Sequence, residues 1–156
     1  MVKKEQDKII FSYPELFTDV CILSSYMAKS FSVDSGNDID EFVITSDEKE
    51  VYEVCLKQTL PYIYDALLKV SSGIDNSFNG SAVFSIVDNG QYNSNVLTSV
   101  DLTLRECLSY GVLTEFYSIN VNAELFNVAQ GKYRESLRQL QQRLFQLKKK
   151  SISSNI

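Results

Sequence analysis

The chain has 156 residues, 44% of them apolar and 22% charged, with a formal net charge of −5 and no histidine. That length suits one domain with a moderate core, and the composition is that of an ordinary globular protein. Without histidine there can be no Ser-His-Asp or Cys-His machinery and no imidazole base near neutral pH.

No apolar run reaches the length of a membrane span. The opening "MVKKEQDKII" has a basic start but no apolar stretch behind it, so no signal peptide is expected, and a cytoplasmic origin is the default. Cys21, Cys55 and Cys107 are odd in number, far apart and set among apolar neighbours. They read as buried free thiols, with a zinc site of three cysteines and a carboxylate as the remote alternative. "DSGNDIDEF" (residues 34–42) is rich in Asp but lacks the glycine and final Glu spacing of an EF-hand loop. It reads as a solvated loop, with weak cation binding as the alternative. No phosphate-cradling glycine motif is present. No catalytic residue, metal ligand or cofactor is therefore assigned.

In chain order, Pro14 suits the start of a first helix. Val20, Leu23, Met27 and Phe31 follow at spacings of three and four, on one helical face, and the Ser, Asp, Gly and Asn cluster at 32–40 ends it. Thr45 and Glu48 have the spacing of a capping box, and Asp47, Glu48 and Glu50 load the first turn of a second helix with negative charge. Val51, Val54, Cys55, Ile63, Leu67 and Val70 continue its stripe. Pro61 predicts a kink or break near Lys57 to Leu60, and residues 71–73 (SSG) stop the helix.

Residues 82–97 read as a small β-hairpin. Val83, Phe84, Ile86 and Val87 suit a strand, Asn89-Gly90 suits a tight type I′ turn, and the Asn- and Ser-rich second run is weaker. A lone hairpin is marginal in water, so this one must lie on helices or pair with another chain. Thr98 or Ser99 is the expected cap of a third helix with the apolar face Leu104, Leu108, Val112, Leu113, Phe116 and Tyr117. Asn122 can cap a fourth. There Tyr133, Leu137, Leu140, Leu144 and Leu147 alternate steps of four and three, a short seam that faces its own domain. The last six residues, 151–156, read as a frayed tail.

The expected fold is thus mainly α: one domain over residues 1–150, a bundle of about four helices with a small β-hairpin insertion. Leu23, Met27, Val51, Cys55, Ile63, Leu67, Leu108, Val112, Phe116, Tyr133, Leu137, Leu140 and Leu144 are the expected core.

Charge is distributed unevenly. Residues 1–131 hold eight basic and nineteen acidic residues; residues 132–150 hold seven basic and one acidic. Three readings compete for this basic helix. It can be a solvated face whose cations favour the helix C-terminus. It can dock on acidic protein surface, or it can contact nucleic-acid phosphates. The acidic bulk and the lack of aromatics interleaved with the cations count against the last. Docking makes Arg134, Arg138, Arg143, Lys148, Lys149 and Lys150 the contact candidates.

Three stretches carry a resemblance: "ILSSYMAKSF", "ITSDEKEVYEVCLKQTLPYIYDALLKV" and "LTLRECLSYGVLTEFYSINVNAELFNVAQGKYRESLRQLQQRLFQLKKK". In their order and character they resemble the small, mainly helical head-to-tail connector (adaptor) proteins of tailed bacteriophages, particularly those of gut Bacteroidales phages, over roughly residues 20–150. Phe116 and Tyr117 stand where such proteins often carry a Trp. The resemblance implies a structural virion protein of the neck, without enzymatic activity or cofactor, assembled in the bacterial host cytoplasm. It implies a ring of about twelve copies between the portal protein and the tail proteins. DNA would pass through the channel without sequence-specific binding, and no membrane is involved. An acidic channel lining would keep DNA from sticking. A tail-completion protein at the same junction, or a small DNA-binding regulator using the basic helix, are the alternatives.

Overall fold

A computed structural model of the chain describes residues 2–5, 8–31, 42–69, 74–78, 82–87, 92–120 and 122–148. Among these the fold is mainly helical, with α1 (Leu16–Phe31), α2 (Lys49–Leu68), α3 (Leu97–Ile119) and α4 (Ala123–Lys148). Four short strands, β1 (Val2–Glu5), β2 (Lys8–Tyr13), β3 (Ile74–Phe78) and β4 (Ala82–Val87), form one antiparallel sheet in the order β1-β2-β4-β3.

α3 is the central helix. From Cys107 to Tyr117 its buried residues occupy every side of the cylinder, including Leu108, Val112, Leu113 and Phe116. Three of its buried serine and threonine hydroxyls are satisfied within the helix, while the buried Tyr117 hydroxyl has no partner among the described residues. Thr103 donates to the Ser99 carbonyl, Ser109 to Arg105 and Thr114 to Tyr110, each four residues back. That local bond lets a hydroxyl be buried without loss of hydrogen bonding. α4 packs antiparallel on α3: Arg143 reaches Ser99 near the start of α3, and Tyr133 lies beside Gly111 farther along. The same Gly111 faces Thr59 of α2, and the missing side chain lets three helices approach at one point.

The inner face of the sheet follows the two-residue period of strands. Ile9, Phe11 and Tyr13 of β2 are buried and pair directly with Ile86, Phe84 and Ala82 of β4, also buried. Such facing apolar pairs set the register, since a one-residue slip would turn both rows to solvent. Tyr13 also ties the sheet to α3: its hydroxyl donates to Asp101, 2.9 Å from Oδ1 and 3.1 Å from the backbone carbonyl.

The sheet differs from the expected hairpin. The strand at 82–87 is present, but its partners are β3 on one side and β2 on the other. Residues 94–96 form a 3-10 turn and α3 begins at Leu97, so the second run is not a strand; Asn89-Gly90 lies outside the described residues. The Asn-rich run competes poorly for β4 against the alternating Ile9, Phe11 and Tyr13. Its Asn93 serves instead as a cap, the side chain accepting from the Asn95 N–H at 3.2 Å. Thr98 and Ser99 consequently sit inside the first turn of α3 and do not cap it. The Asn93 N–H also donates to the Leu147 carbonyl at 2.8 Å, joining the approach to α3 to the end of α4.

Other local signals hold. Thr45 and Glu48 form a full capping box on a 3-10 turn, Ser46–Glu48, that runs into α2. Asn122 caps α4, its side chain accepting from Leu125 N–H at 2.9 Å. The break expected near Lys57 to Leu60 is absent: α2 continues unbroken through Pro61, the proline exposed while Leu60 and Ile63 beside it are buried and hold the helix in place. Pro14 precedes the helix in a turn, and α1 begins at Leu16.

Of the expected core, Met27, Cys55, Ile63, Leu67, Leu108, Val112, Phe116, Leu140 and Leu144 are buried. Leu23, Val51, Tyr133 and Leu137 are half-buried at its margin. Ile44 and Phe42 also enter the core, with the Ile44 N–H held by the Ser24 hydroxyl at 2.8 Å. Val70, residues 71–73 and most of the acidic stretch 34–42 lie outside the described residues.

Candidate interaction surface

The apolar seam of α4 faces the domain as its spacing requires: Leu140, Leu144 and Leu147 are buried, and Tyr133 and Leu137 are half-buried. The cations flanking the seam are not one uniform stripe. Arg143, immediately beside Leu144, turns to α3 and donates from Nη1 to the Ser99 hydroxyl. Its Nε is buried without a partner among the described residues. Lys132 lies over the Tyr110 ring, 5.9 Å from the centroid. Arg138 is ion-paired to Glu135 one turn earlier at 2.6 Å. The Arg138 hydrogen bond holds the Glu135 carboxyl below its ordinary pKa range. Both side chains are more than half exposed, so the pair contributes little to stability. Lys148 Nζ sits 3.5 Å from the Lys69 carbonyl at the end of α2. Arg134 is exposed, with no partner among the described residues. Lys149 and Lys150 lie outside the described residues.

Arg134, Arg138 and Lys148 are thus exposed on the surface of α4, while Arg143 belongs to the α3–α4 contact. One residue that the charge pattern did not single out shares their side. Phe145 is 58% exposed, and Arg134, Arg138, Gln141, Phe145 and Lys148 follow one another at steps of four and three.

Exposed apolar side chains recur on the other helices. Ile22 and Tyr26, one turn apart on α1, are 66% and 69% exposed. Val54 and Tyr62 on α2, and Leu102 and Ile119 on α3, are each at least half exposed. The sequence hides these positions, because an apolar residue beside a helical stripe reads as part of it.

A shallow cleft of about 190 Å³ opens where β2 turns into α1, lined by Ser12, Tyr13, Pro14, Glu15, Leu16, Asp19 and Arg105. Arg105 bridges to Asp19, with Nη2 at 2.6 Å and Nε at 2.7 Å from Oδ2. Burial first, and then the Asp101 carboxylate, push the Tyr13 hydroxyl well above the ordinary tyrosine range, so it stays protonated. Tyr13 thus clamps β2 to α3 and Arg105 clamps α1 to α3.

Among the described residues no group of three or more Cys, Asp or Glu gathers as metal ligands would. Cys55 and Cys107 are buried free thiols and Cys21 is half-buried. Burial pushes Cys55 up to about 11 and Cys107 up to about 12. No described helix is long and apolar enough to cross a membrane.

These features define a mainly helical protein with a small antiparallel sheet. Comparison with known protein families, curated proteins and solved structures finds no match to this chain.

Proposed function

We propose that this chain is a structural subunit of a larger assembly, and specifically a head-to-tail connector ring subunit between the portal and the tail of a tailed phage. The observation that carries the assembly reading is the placement of large apolar side chains. Each of the four described helices presents at least one that is half exposed or more: Ile22 and Tyr26, Val54 and Tyr62, Leu102 and Ile119, and Phe145. Single exposed apolar residues are ordinary. Their spread over several sides fits a subunit with neighbours on several sides, as in a closed ring. The connector assignment rests further on the resemblance of residues 20–150, which places a portal on one side and tail proteins on the other.

Arg134, Arg138 and Lys148 then serve orientation. Weak exposed pairs, repeated around a ring, steer the register of contacts to acidic surface more than they strengthen them. Purified chain examined by light scattering and negative-stain electron microscopy should give rings, or should give them once portal protein is added. A chain that stays monomeric both alone and with portal overturns the reading. Binding to duplex DNA at physiological salt, with affinity falling steeply as salt rises, would replace it with the nucleic-acid reading.

A further inference from the structure

We infer that the surface where α2 and α4 end binds a second copy of this chain, through the acidic and partly apolar start of that copy's α2. The inference rests on the assembly reading and names the acidic surface that the cations of that reading meet.

Lys148 Nζ lies 3.5 Å from the Lys69 carbonyl, so the two lysines sit together at the ends of their helices. Both are exposed. The ion pairs of the described residues lie elsewhere, at Asp19–Arg105 and Glu135–Arg138. A bond to a neutral carbonyl leaves the Lys148 charge in place and two of its three N–H donors open. Asp65, one turn before Lys69, is a single acid against the two lysines. Phe145 precedes Lys148 by three residues on the same side of α4 and is 58% exposed.

The start of α2 is the counterpart. Residues 47–53 hold four acids and one lysine. Glu48 is taken up by the capping box, and Lys49 stands over the Phe17 ring. Lys57, the next cation along, has a contact of its own. Asp47 and Glu50 are exposed, with no side-chain partner among the described residues. Val54, one turn after Glu50, is 50% exposed.

Helix dipoles account for acids at the start of a helix and cations at its end. They do not account for an exposed apolar side chain one turn from each. That pairing of charge and apolar group recurs on both surfaces with opposite sign, so Phe145 can lie on Val54 while the lysines meet Asp47 and Glu50. One molecule cannot make this contact with itself. α2 has 20 residues and is about 30 Å long, so its acidic start and basic end stand about three Debye lengths apart. Like surfaces repel, and the contact between copies therefore joins a start to an end.

Two full-length variants test the pairing. Asp47→Lys with Glu50→Lys makes both surfaces basic; Lys69→Glu with Lys148→Glu makes both acidic. Each should keep native circular dichroism, and in sedimentation velocity each should need at least about tenfold more protein than the native chain to assemble. An equal mixture should recover native assembly, because a basic surface of one variant then meets an acidic surface of the other. If the first variant loses its circular dichroism, Asp47→Asn with Glu50→Gln replaces it and should weaken assembly in the same sense. Glu106→Lys, at an exposed acid of α3, should assemble like the native chain. Charge variants that assemble normally, a mixture that fails to recover, or an equal loss from Glu106→Lys overturn the pairing and leave the assembly reading standing. A native chain that forms no assembly, alone or with portal protein, overturns both.

Discussion

Replacing Gly111 with alanine adds one methyl group at the point where α2, α3 and α4 converge. The new Cβ would collide with Thr59 Cγ2 and would lie 2.9 Å from Tyr133 Cε2 and 3.2 Å from Thr59 Oγ1. Carbon pairs settle at about 3.5–4.0 Å, so a neighbour must move. Thr59 cannot swing away cheaply: it is 2% exposed, and its hydroxyl is bonded to the Cys55 carbonyl at 3.0 Å. Overpacking a core costs about 1–3 kcal/mol, and this clash belongs at the upper end. Alanine in a helix interior returns about 1 kcal/mol relative to glycine. The net expectation is a loss of about 2 kcal/mol, or a fall in Tm of about 4–8 °C for a chain this size.

Gly131 in α4 is the control, since nothing stands within 4 Å of a Cβ placed there. Gly131→Ala should stabilise by about 0.5–1 kcal/mol. Urea unfolding followed by circular dichroism measures both. A third variant, Thr59→Ser in the Gly111→Ala background, removes the colliding methyl and keeps the bond to Cys55. It should recover at least half of the loss, and the coupling in the double-mutant cycle places the strain at that contact. A Gly111→Ala protein as stable as its parent would refute the close convergence of the three helices.

Leu144→Ala empties a site that is 1% exposed on the α4 seam and should cost about 2–5 kcal/mol in urea unfolding; a cost below about 1 kcal/mol means that α4 is not docked through its leucines. Thr45→Ala removes one half of the capping box and should lower stability by about 0.5–2 kcal/mol, with Thr45→Ser close to neutral. Raising pH should destabilise the chain from about pH 9, where thiols in the unfolded chain ionise while Cys55 and Cys107 stay protonated to about 11 and 12. The folded state then holds more protons, so stability is level below that pH and falls above it, by up to about 1.4 kcal/mol per pH unit for each thiol. A urea midpoint unchanged between pH 8 and pH 10.5 contradicts the burial of both.

What the sequence disclosed is what short-range physics controls. The Thr45–Glu48 box and the Asn122 cap involve residues three apart, and the Tyr133-to-Leu147 seam repeats within one helix. The sheet was less legible because its pairings are non-local. β2 and β4 are joined through Ile9–Ile86 and Phe11–Phe84, and nothing in either segment names the other. The alternation of Ile9, Phe11 and Tyr13 is nonetheless present, directly after the charged run Lys3 to Lys8. In α3 burial on all sides obscures the helical period, so Asn93 was hard to recognise as the residue that sets its approach. In the basic helix, composition displayed seven cations without their directions. Arg143 adjoins Leu144 and follows Leu140 by three, which sets it at the edge of the seam; that spacing was sufficient to separate it from Arg134 and Arg138.

The 2.8 Å bond from the Asn93 N–H to the Leu147 carbonyl bears on how the molecule opens. The last turn of a helix usually frays independently, and its amides exchange with solvent quickly. Here that turn is bound to the segment before α3, and Leu147 beneath it is fully buried. The end of α4 cannot unwind without releasing Asn93, so the two should exchange hydrogen as one cooperative unit. Protection at the Asn93 amide would then track the opening of a turn far along the chain. Shortening α4 by its last turn would loosen the approach to the central helix before it loosened α4 itself.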